Sequence, residues 1–192
     1  MATIARSELI LGGQKSGKSR RAEALAAQWL AIDAAHRAVL VATATAADAE
    51  MRERIERHRR ERSQRVPELL TVEEPLALPR AIEVHSAGDV LLVVDCLTLW
   101  LSNRLFPPSG QPLPEGGQAA DAAIEALLGA LAAVRGPIVL VSNEIGLGVI
   151  PLGPPVRAFV DALGTLNQRV AAVCERVTWM VAGLPMTLKG RP

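Results

Sequence analysis

The chain has 192 residues, of which 49% are apolar and 21% charged, enough to bury a substantial core and too apolar for a disordered segment. A formal net charge of +1 excludes the bulk basic excess of a nucleic-acid or anionic-membrane binder. No apolar run approaches the roughly 20 residues of a membrane span.

The N-terminus shows no signal-peptide pattern. Cys96 and Cys174 are far apart and lack metal-ligand spacing, so reduced, buried thiols in a cytoplasmic protein are expected.

In chain order, residues 8–11 form a short strand that runs into a glycine-rich loop. Residues 19–31 follow as a helix with Ala22, Leu25, Ala26, Trp29 and Leu30 on one face. A second strand spans 38–42 and a strongly charged helix 48–62. The five apolar residues 90–94 are a fully buried strand, and 138–141 is another. Helices are expected at 118–134 and at 155–174, the second with proline in its first turn, and a last strand at 178–181. Residues 106–117, rich in Pro and Gly, are expected to be a long surface loop. This alternation predicts an α/β domain with a mainly parallel sheet and helices on both faces. Nothing marks a boundary, so residues 1–192 are expected to form one P-loop nucleotide-binding catalytic domain.

The loop Gly12-Gly13-Gln14-Lys15-Ser16-Gly17-Lys18-Ser19 satisfies G-x-x-x-x-G-K-[ST] at every fixed position, between a strand and a helix. Glycines let the backbone N–H groups approach phosphates, Lys18 places a charge on the β and γ phosphates, and the Ser19 hydroxyl reaches Mg²⁺. The plain alternative is a glycine-rich turn without a ligand. Asp95, ending the strand 90–94, is the acidic companion expected to hold Mg²⁺ directly or through water; alone it would read as a turn or capping carboxylate.

In the charged helix, Met51, Ile55 and His58 share a face, which suits a half-buried structural histidine. Arg54, Arg57, Arg59, Arg60 and Arg62 crowd the same helix, and positive neighbours disfavour the imidazolium. A neutral imidazole there would be a nucleophile toward a phosphate drawn in by the arginines. Both readings of His58 stand on the residues alone. His36 and His85 read as structural, and Trp100 and Trp179 as core or interface.

The chain resembles the bifunctional adenosylcobinamide kinase / adenosylcobinamide-phosphate guanylyltransferase family over almost its whole length. The most specific segments are Asp95-Cys-Leu-Thr-Leu-Trp-Leu-Ser-Asn103 and Asn143-Glu-Ile-Gly-Leu-Gly-Val-Ile-Pro151, with Gly164-Thr-Leu-Asn-Gln168 and Thr71-Val-Glu-Glu-Pro75 beside them. The resemblance implies a RecA-like parallel sheet and a homotrimer. It implies two reactions: ATP or GTP phosphorylates adenosylcobinamide, then GTP gives GMP to an enzyme histidine, which passes it to adenosylcobinamide phosphate. His58 stands at that histidine's position. Nucleotide contacts are implied at residues 12–19, at Ala42, Thr43 and Ala44, at 62–65 including Arg62, at Glu73 and near Asp95. The stretch 61–70 is longer than the family's pattern by a few residues, and Leu69 stands near its Trp position.

One triphosphate site would then serve both steps, with the loop holding the leaving pyrophosphate in the second. Because a mid-helix histidine sits far from the loop, the helix 48–62 is expected to move on GTP binding. A single-function P-loop kinase of a small metabolite is the alternative, and it needs no covalent intermediate. A GTP switch is disfavoured because Asn143-Glu-Ile-Gly146 replaces Asn-Lys-x-Asp, and a nucleic-acid module because aromatics and basic surface are scarce. Arg157, Asp161 and Gln168 form one stripe of the last long helix, read either as a solvated face with one ion pair or as contacts to corrinoid or a neighbouring subunit.

Overall fold

The computed structural model describes residues 4–46, 49–106 and 116–191. The elements run β1 (Ser7–Gly12), α1 (Lys18–Ile32), β2 (Arg37–Ala42), α2 (Ala49–Arg65), β3 (Leu69–Glu73), α3 (Leu78–His85) and β4 (Val90–Asp95). They continue with α4 (Leu97–Leu105), α5 (Gly116–Ala132), β5 (Ile138–Val141), α6 (Pro154–Val173), β6 (Arg176–Val181) and β7 (Leu184–Lys189). One sheet orders them β3-β2-β4-β5-β1-β6-β7, parallel throughout except for the antiparallel β6–β7 hairpin.

The central strands carry apolar residues on both faces because helices cover both. One cluster joins Leu9, Leu92, Val94 and Leu140 to Trp100, Ile124, Leu127, Leu163 and Leu166, from α4, α5 and α6. The opposite face packs Ile10, Leu40, Leu91, Val93, Val139 and Val141 against Ala22, Leu25 and Ala26 of α1. Glu8 is buried in β1, where it accepts from Arg21 Nε (2.9 Å), Thr178 Oγ1 (2.8 Å) and Arg176 (3.3 Å), tying β1 to α1 and β6.

Every strand expected from the sequence is present, and four elements join them. β3 is an edge strand, α3 a short helix with Pro79 in its first turn, and α4 is separated from β4 by the single residue Cys96. β7 returns through Ala182 (φ 51°) and Gly183 (φ 81°), a two-residue connection with both residues left-handed, as tight hairpins require. Of the loop expected at 106–117, residues 107–115 lie outside the described residues, and Gly116 already belongs to α5. Asp48, the expected start of the charged helix, also lies outside them.

Trp100 is buried, with Nε1 donating to Leu76 O at 3.1 Å. His36 stacks on Trp29 with ring centroids 3.6 Å apart and shares a hydrogen bond between Nδ1 and Trp29 O, so its role is structural. Arg157 makes no ion pair with Asp161 among the described residues; its guanidinium donates to Pro151 O and Leu152 O.

Candidate nucleotide site

β1, β2, β4 and β5 all end at the same edge of the sheet, so the loop after β1, residues 42–46, Asp95 and residues 142–144 converge there. Ligands of open parallel sheets bind beyond the strands' carboxyl ends, where the connections diverge.

The loop's shape depends on its glycines. Gly12 has φ +152°, and a Cβ there would meet Met180 O at 2.5 Å and Ser16 Oγ at 2.6 Å. Gly17, with φ +101°, caps α1 directly before Lys18. The β6–β7 turn braces the loop from below, Gly183 N donating to Ser16 O at 3.0 Å. Lys18 Nζ donates to Gly12 O (2.9 Å) and Gly13 O (2.7 Å), which fixes the ammonium inside the loop with one proton still to give. Burial holds this ammonium below the ordinary lysine value, Cys96 and Asp95 pull it back up, and Arg54 opposes them. The Ser16 hydroxyl is buried with no hydrogen-bond partner. A buried cation, a buried unpaired hydroxyl and the amide end of α1 together form an anion receptor.

Asp95 is half-buried at the end of β4 and acts electrostatically on Lys18, Glu23, His58 and Arg62. Neither its carboxylate nor the Ser19 hydroxyl makes a hydrogen bond to a described residue. Oxygen donors of this kind suit a hard cation such as Mg²⁺.

Thr43 is fully buried, and its Oγ1 donates to Cys96 O (2.7 Å) and accepts from Cys96 N (2.8 Å), while Thr43 N donates to Asp95 O (3.1 Å). Thr43 O accepts from Asn103 Nδ2 at 2.8 Å. All its polar groups are thereby engaged within the protein, so Thr43 sets the position of Asp95.

α2 carries the remaining expected residues. Met51, Ile55 and His58 are half-buried and Arg62 is buried, while Arg54, Arg57, Arg59 and Arg60 are exposed. The face shared by Met51, Ile55 and His58 therefore points inward. The His58 imidazole titrates below its ordinary value chiefly because it is buried; Asp95 opposes the shift, and Arg54 and Arg57 add to it. The arginine crowding argued from sequence is thus the lesser cause. Arg62 is likewise held down by burial, against the pull of Glu23 and Asp95. Arg59 pairs with Glu73 at the end of β3, and Arg65 with Glu23 of α1 at 2.7 Å. Arg59, Arg62, Ser63, Leu69, Thr71 and Glu73 border a cleft of about 350 Å³ between α2 and β3.

The structure thus gathers the loop, Asp95, His58 and Arg62 into one electrostatic neighbourhood, with Glu73 on its outer side. Sequence reasoning missed Glu23, buried and elevated by desolvation, which anchors the C-terminal end of α2. Its signal was its place one residue after Ala22, on the side of α1 that carries Ala22 and Ala26. The thiols are free and buried, Cys96 pushed up to about 12 and Cys174 to about 11, and hence unreactive.

Fold and site together define a P-loop nucleotide-binding enzyme with a RecA-like, mainly parallel sheet. Residues 8–188 match the family described as cobinamide kinase / cobinamide phosphate guanyltransferase, and the chain belongs to that family. It is 49% identical over 186 residues to the bifunctional adenosylcobalamin biosynthesis protein CobP of Pseudomonas aeruginosa, covering 96% of this chain and 98% of that one. Identity to the bifunctional adenosylcobalamin biosynthesis proteins CobU of Salmonella typhimurium and Escherichia coli is 34% and 33%, each covering 94% of this chain and 98% of theirs. Among solved structures, the flagellar accessory protein FlaH of Methanocaldococcus jannaschii shares the fold, with a TM-score of 0.51 at 12% identity over 99% of this chain and 81% of that one.

Proposed function

We propose that the chain, a single catalytic domain, phosphorylates adenosylcobinamide with ATP or GTP and then transfers GMP from GTP, through His58, to adenosylcobinamide phosphate. Family membership supports the two activities. The observation that carries the shared site is the loop cradle, where Lys18 is locked onto Gly12 O and Gly13 O.

In the first step Lys18 and the amides of residues 12–19 neutralise and orient the terminal phosphates, because phosphoryl transfer is mainly positioning and charge compensation. Ser19 and Asp95 would hold Mg²⁺, which would supply neutralisation of the charge on the phosphates. In the second step the same groups hold the leaving pyrophosphate. Burial keeps the His58 imidazole neutral, so its ring nitrogen attacks the α-phosphorus; a P–N bond forms, the bond to the bridging oxygen breaks, and pyrophosphate leaves. The phosphate of the corrinoid then displaces the histidine and receives GMP. Arg62 and Glu73, beside the cleft between α2 and β3, serve the nucleotide.

The protein acts in the cytoplasm, consistent with two free thiols and with no helix long and apolar enough to cross a membrane among the described residues. It assembles as a homotrimer, to which the exposed Leu147, Val149, Ile150 and Leu152 after β5 and Leu184 and Met186 on β7 offer apolar surface.

Incubation with adenosylcobinamide and γ-labelled GTP should move label to the corrinoid, and α-labelled GTP should then label the corrinoid through GMP. Label from the γ position alone, with none from the α position, points to the single-function kinase instead.

A further inference from the structure

We propose that the cleft between α6 and the β6–β7 hairpin is a subsite for the corrinoid substrate and takes one of its carboxamide arms; this rests on the proposed function above. The cleft has a volume of about 390 Å³. Leu11, Val177 and Leu188 form its sheet side, and Gly164, Asn167, Gln168 and Ala171 its helical side. Leu11 directly precedes the phosphate loop, and Glu144, at one end of the cleft, donates its N–H to Gly12 O at 3.2 Å. Lys189, which pairs across the hairpin with Val177 near the start of β6, stands at the other end. The cleft therefore runs from the loop's edge of the sheet down along α6, on the face opposite α1.

Two features mark it as a place for a ligand. Gly164 lies in the middle of α6, where glycine weakens a helix, yet a Cβ there would meet nothing within 4 Å. No neighbour in the protein needs the side chain to be missing, and the space it leaves belongs to the cleft. Asn167, on the next turn, is 4% exposed. Its Nδ2 donates to Asn143 O at 3.0 Å, whereas its Oδ1 is buried with no hydrogen-bond partner among the described residues. A buried acceptor left empty is costly, and an N–H or O–H brought by a ligand would satisfy it.

The polar groups around that acceptor narrow the ligand's chemistry. Glu144 Oε1 accepts from Gly146 N at 2.9 Å, which leaves its second oxygen to accept from a ligand. Lys189 Nζ donates to Ala171 O (2.9 Å) and Ala172 O (2.8 Å) and keeps one proton to give, and the Gln168 carboxamide is exposed at the rim. Acceptors and donors thus flank an apolar floor. A primary carboxamide on a short apolar stem offers both N–H and C=O and matches them. A carboxylate would bring negative charge to Glu144 and no proton to Asn167, and a hydrocarbon arm would leave Oδ1 unpaired. A corrinoid is a largely apolar macrocycle edged with such carboxamide arms. The cleft is too small for the ring and takes an arm, which leaves the ring at the mouth beside Gly12, within reach of the phosphate loop.

The test fills the cleft. Gly164→Leu places a better helix former in α6, so the fold is kept while the arm's space is lost. Binding of adenosylcobinamide to the full chain is followed by the absorbance of the bound corrinoid, alongside both transfer rates and labelling of the protein by α-labelled GTP without corrinoid. G164L should weaken corrinoid binding roughly tenfold or more, raise the corrinoid KM in both transfers, and leave protein labelling at the wild-type rate. Gly164→Ala, the smallest intrusion, should weaken binding less, and it serves if G164L proves unstable. Among corrinoids with one amide arm hydrolysed to the acid, one should bind wild type about tenfold more weakly than the parent, and that difference should vanish in G164L. The proposal is overturned if both variants bind adenosylcobinamide as wild type does, if labelling slows in parallel with binding, or if wild type binds no corrinoid. A change of oligomeric state in G164L, read by sedimentation, would assign the cleft to a neighbouring copy and overturn it too. Wild type that binds the corrinoid yet performs neither transfer refutes the proposed function instead, and the affinity ratio still decides the cleft.

Discussion

The Thr43 hydroxyl hydrogen-bonds both polar atoms of the Cys96 backbone, donating to O at 2.7 Å and accepting from N at 2.8 Å. Two adjacent parallel strands are thereby locked together at the residue after Asp95. Thr43→Val keeps the shape and strands a buried N–H and C=O, so it should lower stability by about 2 kcal/mol in urea unfolding. Activity at saturating nucleotide should fall as well, and raised Mg²⁺ should restore part of it if the displaced Asp95 holds the metal as proposed. Unchanged stability would remove Thr43 from this positioning role.

Lys18→Met leads to a different balance. The ammonium is desolvated and held by two carbonyls, so an apolar side chain of similar length removes the burial cost together with the charge. Thermal stability should stay close to that of wild type, while both transfers fall by roughly a hundredfold or more. Thermal melts and single-turnover rates check the two halves separately.

His58 titrates below the ordinary imidazole value of 6.5, principally through burial. Below that ordinary value the unfolded chain binds the proton first, so this group's contribution to stability is present above it and is lost as pH falls through the folded value. The rate of enzyme guanylylation should follow the neutral imidazole: level through neutral pH and declining only on the acid side of the ordinary value. A decline already centred above 6.5 would mean that the carboxylates, Asp95 foremost, outweigh burial.

α2 should move when GTP binds. Arg62 is the buried residue of this helix, and its C-terminal end is anchored by Arg65 to Glu23. The half carrying Met51, Ile55 and His58 is held by half-buried contacts, so closure should pivot about the anchored end. Amide exchange across residues 50–60 should slow with GTP, and Glu23→Ala should weaken the change. Equal distances from His58 to the loop 12–19 in free and GTP-bound crystals would contradict the motion.

The parts legible in the sequence were those set by local chemistry. The loop at 12–19 announces itself by glycine spacing, and the strand before Asp95 by its unbroken apolar run. β3 and β7 were missed because edge strands bury little: β7 is exposed along most of its length and contains Pro185. α4 was hidden because Cys96 alone separates it from β4, so strand and helix read as one apolar stretch. Charge was harder still. The sequence shows five arginines near His58 but not that four of them face solvent while Asp95, distant in the chain, acts on the imidazole through its charge.

The covalent histidine is the central claim, and one measurement tests it most directly. Wild type and His58→Ala are incubated with α-labelled GTP and Mg²⁺, and the protein is separated and treated with acid. The account predicts label on wild type that is released by acid, and none on His58→Ala, whose nucleotide binding and fold remain. Label on both proteins, or on neither, would contradict it.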